Sequence, residues 1–373
     1  MPAPKLSSSA RVPLASASPA SSKSTPSPAP STKPKPLDMF ATKEGAPSIC
    51  TFDLHPRAGQ AALKAAGLFK EFQKYSRPEG EAMKLIQPDD APKEFDGEGL
   101  DRPEIDRVKL RDILLDSLEE GTVKWGKKVM RVEPDPSARA NTPSFSPTSQ
   151  PRRPSISSSA RTSGITSIEL WALDVDAKNP WLSEYIGKGS CFMFDEGRAL
   201  QCQRQGTGAC GIDFANPSET TRQEMVDKYW SDCSTDVKRV ILSAKDELIP
   251  RKLYMLSVGI QWKSKLGVTL LGDAAHLMTP FAGVGVNVSL ADAMDLAKAI
   301  LRRKASVVAK VRSDGYNIGV AVEEYEKIFE RGRMNAEKTR KNLGLHFSEK
   351  GGAEIAGRLS AHAEAMAKGD GRH

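Results

Sequence analysis

Cysteine and long apolar runs are both scarce in this sequence, and each shortage excludes a class of protein. The 373 residues include five cysteines, none of them in a CxxC pair: Cys50, Cys191, Cys202, Cys210 and Cys233. An odd number of loosely spaced thiols is typical of reduced, intracellular proteins rather than of a disulfide framework or a thiolate zinc site. No run is apolar for long enough to cross a bilayer, and the N-terminus lacks the apolar core of a secretory signal. We therefore expect a cytoplasmic protein, while the Ser-rich N-terminus leaves a mitochondrial address open.

Acidic residues are absent from two Ser/Pro-rich segments, and this absence accounts for the net charge of +7. Residues 1–37 contain five basic residues and residues 137–163 contain four, so the rest of the chain is slightly acidic. A basic face that would bind nucleic acid is therefore not indicated. Both segments have too little apolar surface to offset chain entropy. We expect disorder in a tail at 1–47 and in a linker at 134–163.

Periodic patterns predict both helices and strands in the remaining chain. Leu110, Ile113, Leu114 and Leu118 fall on one face of a helix over 101–118, and Asp106 lies at the N-cap position. Stretches rich in β-branched and aromatic residues predict an antiparallel sheet built from Gly164–Leu173, Ser190–Phe194, Ala199–Arg204 and Cys210–Phe214. Helical sequence dominates from 290 to about 345.

The stretch LLGDAAHLMTPFAGVGVNVSLADAMDLAKAI, Leu270–Ile300, gives the clearest chemical signal. The apolar run Val268–Leu271 before the glycine predicts a strand buried in a parallel sheet. Ligands of such sheets bind at the carboxyl ends of the strands, which is where Asp273 falls. A carboxylate at this position can accept hydrogen bonds from the hydroxyls of a sugar or sugar alcohol.

The loop that follows is suited to a close approach between backbone and ligand. Pro280 stiffens the turn, and Gly283 and Gly285 remove side chains from the approach. The helix that begins at about Val286 directs its free N–H groups and the positive end of its dipole at the ligand. The pattern indicates a cofactor with phosphates or with a polarisable ring.

These residues resemble a known family. GDAAHLMTPFAGVGVN is similar to the second flavin-contact motif of the FAD-dependent aromatic hydroxylases, the p-hydroxybenzoate hydroxylase-like monooxygenases, and within them to the tetracycline-inactivating branch. FDLHPRAGQAALKAAGL and RPEIDRVKLRDILLDSL resemble two further flavin-contact segments of that family. The resemblance implies FAD as cofactor and NADPH as co-substrate. It assigns the FAD contacts to Asp53, Arg107, Asp273, Pro280, Gly283, Gly285, Val286 and Asn287.

The resemblance implies no catalytic side chain and no metal ligand, because the cofactor carries out the difficult chemistry. His276 is by resemblance a structural part of the motif, and we favour that role over a general base.

The family fold is of the α/β class, and the resemblance implies three parts. These are a doubly wound FAD/NAD(P)-binding sheet domain (here incomplete), an antiparallel-sheet substrate domain and C-terminal helices. The predicted division is a tail at 1–47, a first FAD-binding part at 48–133, the linker at 134–163, the substrate sheet at 164–263, a second FAD-binding part at 264–304, and C-terminal helices and tail at 305–373.

Two motifs of the family are absent. No GxGxxG loop precedes Asp53, and a Ser/Pro/Arg segment replaces the GADG motif in the middle of the chain. The ring end of the site is kept while the phosphate end is lost, so we expect weak or absent FAD binding. Three hypotheses follow. The chain is an NAD(P)H- and O₂-dependent monooxygenase of an aromatic or polycyclic small molecule, a non-catalytic remnant, or an interaction protein that uses its Ser/Pro/Arg segments for docking.

Overall fold

The computed structural model describes about two thirds of the chain and places the C-terminal flavin motif and its surroundings. The described residues are 51–86, 92–97, 100–123, 125, 131–134, 143–146, 160–205, 210–215, 222–244, 249–258, 260, 268–309, 318–326, 337–338, 341–342, 347–348 and 350–367. The predicted tail at 1–47 lies outside them, as does most of the predicted linker at 134–163.

The strands, numbered in chain order, are β1 Thr51–Asp53, β2 Met83–Ile86, β3 Lys93–Phe95, β4 Glu104–Asp106, β5 Arg131–Pro134, β6 Pro143–Ser146, β7 Ala160–Ala172, β8 Ser190–Asp195, β9 Arg198–Arg204, β10 Cys210–Ala215 and β11 Ile249–Leu256. The helices are α1 Gly59–Ala65, α2 Phe69–Tyr75, α3 Arg107–Asp116, α4 Val175–Lys178, α5 Pro180–Ile186, α6 Arg222–Tyr229, α7 Thr235–Ser243, α8 Asp273–His276, α9 Gly285–Ala309, α10 Ile318–Glu326 and α11 Gly351–Ala367.

Seven strands form the main sheet in the order β11–β7–β10–β9–β8–β2–β3. All neighbouring pairs are antiparallel except β2 and β8, which run parallel. The four predicted strands after the linker are confirmed as β7 to β10, with bounds within a few residues. β11 was not predicted, because Ile249–Leu256 lacks a clean alternation of apolar and polar residues. Helices α4 to α7 cover one face of this sheet and share a core with it that includes Leu170, Met193 and Trp230.

A smaller layer combines the antiparallel pair β1–β4 with α1, α2 and α3. Leu110, Ile113 and Leu114 of α3 are buried there, as the helical pattern predicted, and Leu290 of α9 joins the same core. Asp106 does precede α3, but its side chain makes no capping hydrogen bond. Burial of the apolar face, rather than the cap, therefore fixes this helix.

A buried carboxylate, Glu104 of β4, connects the two layers. Thr51 Oγ1 and Arg77 Nη2 donate to Glu104 Oε2 at 3.1 and 2.9 Å, and Gln203 Nε2 of β9 donates to Oε1 at 3.1 Å. Burial raises the pKa of Glu104 to about 7, although the positive charge of Arg77 and the hydrogen bonds from Gln203 and Thr51 act against the shift.

The predicted strand over Val268–Leu271 is not formed. Val268 makes a single bridge, and residues 269–271 belong to no strand. Their polar groups are bonded to α10 instead: Tyr325 Oη donates to the Leu270 carbonyl at 3.1 Å, and Thr269 Oγ1 donates to Glu326 at 2.9 Å. Leu271 is buried among residues of α9 and α10, so the apolar run reflects packing between helices rather than a place inside a sheet.

The structure also places two features outside the main layers. β5 and β6 form an antiparallel hairpin, so β6 lies inside the segment predicted as a linker. The predicted C-terminal helices correspond to α10 and α11, and α11 packs against β8.

Of the helices that the structure describes, none combines the length and the apolar character needed to span a bilayer.

Candidate cofactor site

The loop between Leu271 and α9 turns sharply at two glycines. Gly272 has φ +58° and Gly283 has φ +63°, a left-handed backbone region that residues with a Cβ rarely adopt. Gly272 ends the extended segment and starts α8, and Gly283 ends a short 3₁₀ helix, Pro280–Ala282, just before α9. The glycine spacing of the motif is therefore required by the path of the backbone.

Asp292 of α9 holds the first part of this loop in place. Its Oδ2 accepts a hydrogen bond from the Gly272 N–H at 2.9 Å and lies 3.2 Å from His276 Nε2. Both side chains of the Asp292–His276 pair are buried. This pair joins α8 to α9, which agrees with the structural role that we favoured for His276 and leaves it poorly placed to act as a base.

The second part of the loop leaves open space in front of the helix. A Cβ added to Gly283 or to Gly285 would have no heavy atom within 4 Å. The first N–H of α9 that is bonded within the helix region belongs to Val288, which donates to the Val284 carbonyl at 2.9 Å. The N–H groups of Gly285, Val286 and Asn287 precede it and are directed out of the helix end, where the dipole favours an electron-rich group.

The Asn287 side chain connects α9 to the turn between β1 and α1. Its Oδ1 accepts hydrogen bonds from the backbone N–H groups of His55 and Gly59 at 2.8 and 3.2 Å, and its Nδ2 donates to the Asp53 carbonyl at 2.8 Å. A Cβ on Gly59 would lie 2.7 Å from Asn287 Oδ1, so this contact requires glycine. Because these bonds occupy the side chain, the group of Asn287 that can donate to a ligand is its backbone N–H.

Asp53 and His55 lie side by side at this turn. His55 Nε2 is 3.1 Å from Asp53 Oδ2, and the two side chains are 24% and 39% exposed. The Asn287 bridge therefore brings Asp53 next to the amino end of α9, although the two residues are far apart in the sequence.

The positive charge of Arg107, the first residue of α3, acts on two carboxylates of other elements. Burial raises the pKa of Asp273, and the positive charge of Arg107, followed by that of His276, acts against the shift. Burial likewise raises the pKa of Glu169 on β7, while the nearby charges of Arg251 and then Arg107 lower it. Arg251 Nε donates to Glu169 Oε2 at 2.8 Å. Arg107 thus links the Asp273 loop electrostatically to the main sheet.

The Asp273 side chain has a solvent-accessible surface and is also desolvated by its neighbours. Such a carboxylate can accept hydrogen bonds from a hydroxylated ligand without being closed off from it.

The described residues fit the ring end of a flavin. Two glycines leave room before a helix end that directs N–H groups outward, and the preceding loop carries the Asp273 carboxylate, on which the charge of Arg107 acts. Sequence reasoning had selected this set but missed His55, Glu169, Arg251 and Asp292. Glu169 and Arg251 lie on neighbouring strands, so no sequence spacing marks them. The β1–α1 turn contains a visible Asp-x-His pattern, which was a signal for His55.

The sequence is similar to those of known proteins. Residues 169–306 match the FAD binding domain family. Monooxygenase asqM of Emericella nidulans is 27% identical over 380 residues, which cover 80% of this chain and 85% of that protein. The family resemblance drawn from the motifs is thereby confirmed.

Solved structures show the same fold. Klebsiella pneumoniae HpxO complexed with FAD and uric acid superposes with a TM-score of 0.61 at 18% identity, over 86% of this chain and 85% of that one. A salicylate hydroxylase substrate complex superposes with a TM-score of 0.62 at 16% identity, over 85% and 86% of the two chains. The tetracycline destructase Tet(51) superposes with a TM-score of 0.51 at 12% identity, over 83% and 85%. The predicted α/β fold class is confirmed.

Proposed function

This chain contains the FAD binding domain and has the fold of the FAD-dependent aromatic hydroxylase-like monooxygenases, and from that premise we propose a specific reaction. The protein binds FAD, takes reducing equivalents from NADPH and uses O₂ to hydroxylate an aromatic or polycyclic small molecule. The fold neighbours with aromatic or heterocyclic ligands, salicylate hydroxylase and HpxO with uric acid, support this substrate class.

The observation that carries the proposal is the open start of α9, which the Asn287 side chain joins to the Asp53 turn. The charge of Arg107, which comes from a separate segment, acts on the pKa of Asp273 in the loop before this helix. Two open glycines and a set of outward N–H groups lie at the same helix end. A flavin ring needs hydrogen-bond donors at its polar edge and an acceptor for its ribityl hydroxyls, and this arrangement offers both.

Each residue of the site has a proposed role that follows from its chemistry. The N–H groups of Gly285, Val286 and Asn287 would donate to the electron-rich edge of a bound flavin. Asp273 would accept from its sugar-alcohol chain, and the guanidinium of Arg107 would provide a fixed positive charge. Asp53 would contact the cofactor from the β1–α1 turn. Pro280 and Gly283 would fix the backbone of the loop that receives it.

When bound, FAD would accept hydride and activate O₂. The protein contributes position, exclusion of water and fixed charge, so no nucleophilic side chain is required. The main sheet, to which Arg107 is linked through Glu169, is the proposed substrate side of the site.

The proposal is tested by the absorption spectrum of the purified full chain after FAD is added and removed by desalting. The sequence lacks the GxGxxG and GADG motifs, so retained flavin bands near one FAD per chain would show that the remaining residues suffice to hold FAD. Substrate-dependent oxidation of NADPH is then expected. Arg107→Ala and Asp273→Ala should each lower FAD retention. Arg111→Ala is a matched control, because Arg111 lies one turn further along α3 and pairs with Asp112. A folded wild-type protein that emerges colourless, with native circular dichroism, would refute the proposal.

A further inference from the structure

We infer that His55 is a positioning residue of the flavin site, which orients the Asp53 carboxylate and, when protonated, offsets its negative charge. The inference rests on the proposed function, because the charge of Asp53 bears on the reaction only when a flavin lies beside it. His55 itself acts through Asp53 and is not proposed to contact the reacting atoms.

The backbone geometry around the pair is fixed from both sides. The His55 N–H donates to Asn287 Oδ1, and Asn287 Nδ2 donates to the Asp53 carbonyl, both at 2.8 Å. Two residues whose main chains are held by one buried side chain cannot move independently. The main chains that carry the 3.1 Å contact between His55 Nε2 and Asp53 Oδ2 are therefore held by the fold.

The charges around Asp53 are mainly negative. The carboxylate of Asp53 acts at longer range on Glu81 and on Glu104, and in each case it raises the pKa of the other acid. Arg77 is bonded to Glu104, and Arg57 is exposed on the same turn. The ion pair that the structure gives to Asp53 itself is the one with His55. His55 is thus the side chain placed to orient this carboxylate and to share its charge.

This local charge matters for a bound flavin because its reduction adds negative charge to the ring. A bare carboxylate beside the ring disfavours the reduced form, and a cation paired with that carboxylate removes part of the penalty. Both side chains are partly exposed, so a proton can exchange with solvent and the interaction is partly screened. The effect of the pair on an equilibrium constant is expected to be roughly two- to fivefold.

The test compares full-length variants loaded with FAD. His55→Gln should shift the midpoint potential of the bound flavin to a more negative value and slow its reduction by NADPH by roughly two- to fivefold. His55→Lys should move the midpoint potential back toward the wild-type value, because it places a cation on the same turn. Arg57→Gln is the matched control: it removes an exposed cation two residues away and should leave the potential unchanged.

A double-mutant cycle separates positioning from a general effect on folding. In an Asp53→Asn background, His55→Gln should no longer change the potential, because the charge that it offsets is gone. An unchanged potential in His55→Gln, an equal shift in Arg57→Gln, or a shift that persists in the Asp53→Asn background would each overturn the inference while flavin binding still stands. A wild-type chain that retains no flavin would overturn the proposed function and this inference together.

Discussion

Replacing Glu104 by glutamine is expected to flatten the dependence of folding stability on pH. The carboxyl group has an ordinary pKa of 4.5 and a pKa of about 7 in the folded protein, because it is buried between the two layers. The unfolded chain releases this proton at lower pH than the folded chain does. Stability is therefore highest below the ordinary pKa, falls as pH rises between the two values, and is constant above the folded value.

The size of this loss follows from the shift. A pKa difference of this size corresponds to about 3 kcal/mol, an upper estimate for a group with three hydrogen-bond partners. Glu104→Gln keeps the shape and the acceptor for Arg77 and Thr51 but cannot ionise. Relative to wild type, the variant should therefore gain stability as pH rises, by up to about 3 kcal/mol between about pH 5 and about pH 8.

Urea unfolding followed by tryptophan fluorescence at the two pH values measures this difference. Glu94→Gln is the matched control, because Glu94 is an exposed glutamate that pairs with Lys84 and should behave like wild type. If Glu104→Gln and wild type lose the same stability over this pH range, burial does not control the ionisation of Glu104, and the reasoning fails.

Three further predictions concern the site and the core. Asp292→Ala removes the buried acceptor of the Gly272 N–H and of His276, and it should cost about 1–3 kcal/mol in urea unfolding. No measurable loss would show that the pair is dispensable. Gly283→Val places a β-branched residue at φ +63°, so it should destabilise the protein by about 1–2 kcal/mol. It should also weaken FAD retention. Retention equal to that of wild type would mean that this loop does not border the cofactor. Leu170→Ala removes a fully buried side chain of β7 and should cost about 2–5 kcal/mol, with FAD retention of the folded fraction maintained; loss of flavin without loss of stability would contradict a core role.

Local patterns predicted the parts of the fold that depend on local chemistry. The strands β7 to β10 were found because β-branched and aromatic residues cluster between turns, and α3 was found because Leu110, Ile113 and Leu114 share one face. The run Val268–Leu271 was misjudged because an apolar segment covered by helices has the same composition as a buried strand. Tyr325 and Glu326, which satisfy its polar groups, come from a helix far along the chain.

The site shows the same division. Asp273, Gly283 and Gly285 could be selected from their own motif, and the resemblance added Asp53 and Arg107. The hydrogen bonds of the Asn287 side chain could not be predicted from the sequence, because its partners His55 and Gly59 are more than 200 residues away. Long-range hydrogen bonds of this kind carry no local pattern.

The parallel pairing of β2 with β8 has a consequence for how this protein is made. β2 and β3 are synthesised well before β8, the strand that pairs with β2. The residues between β3 and β8 include the hairpin β5–β6 and the long strand β7. As the chain leaves the ribosome, the β2–β3 pair presents an unpaired strand edge at β2 until β8 emerges. An unpaired edge of this kind is where two nascent chains can join, so yield in expression should depend on chaperone supply and on translation rate through residues 131–190.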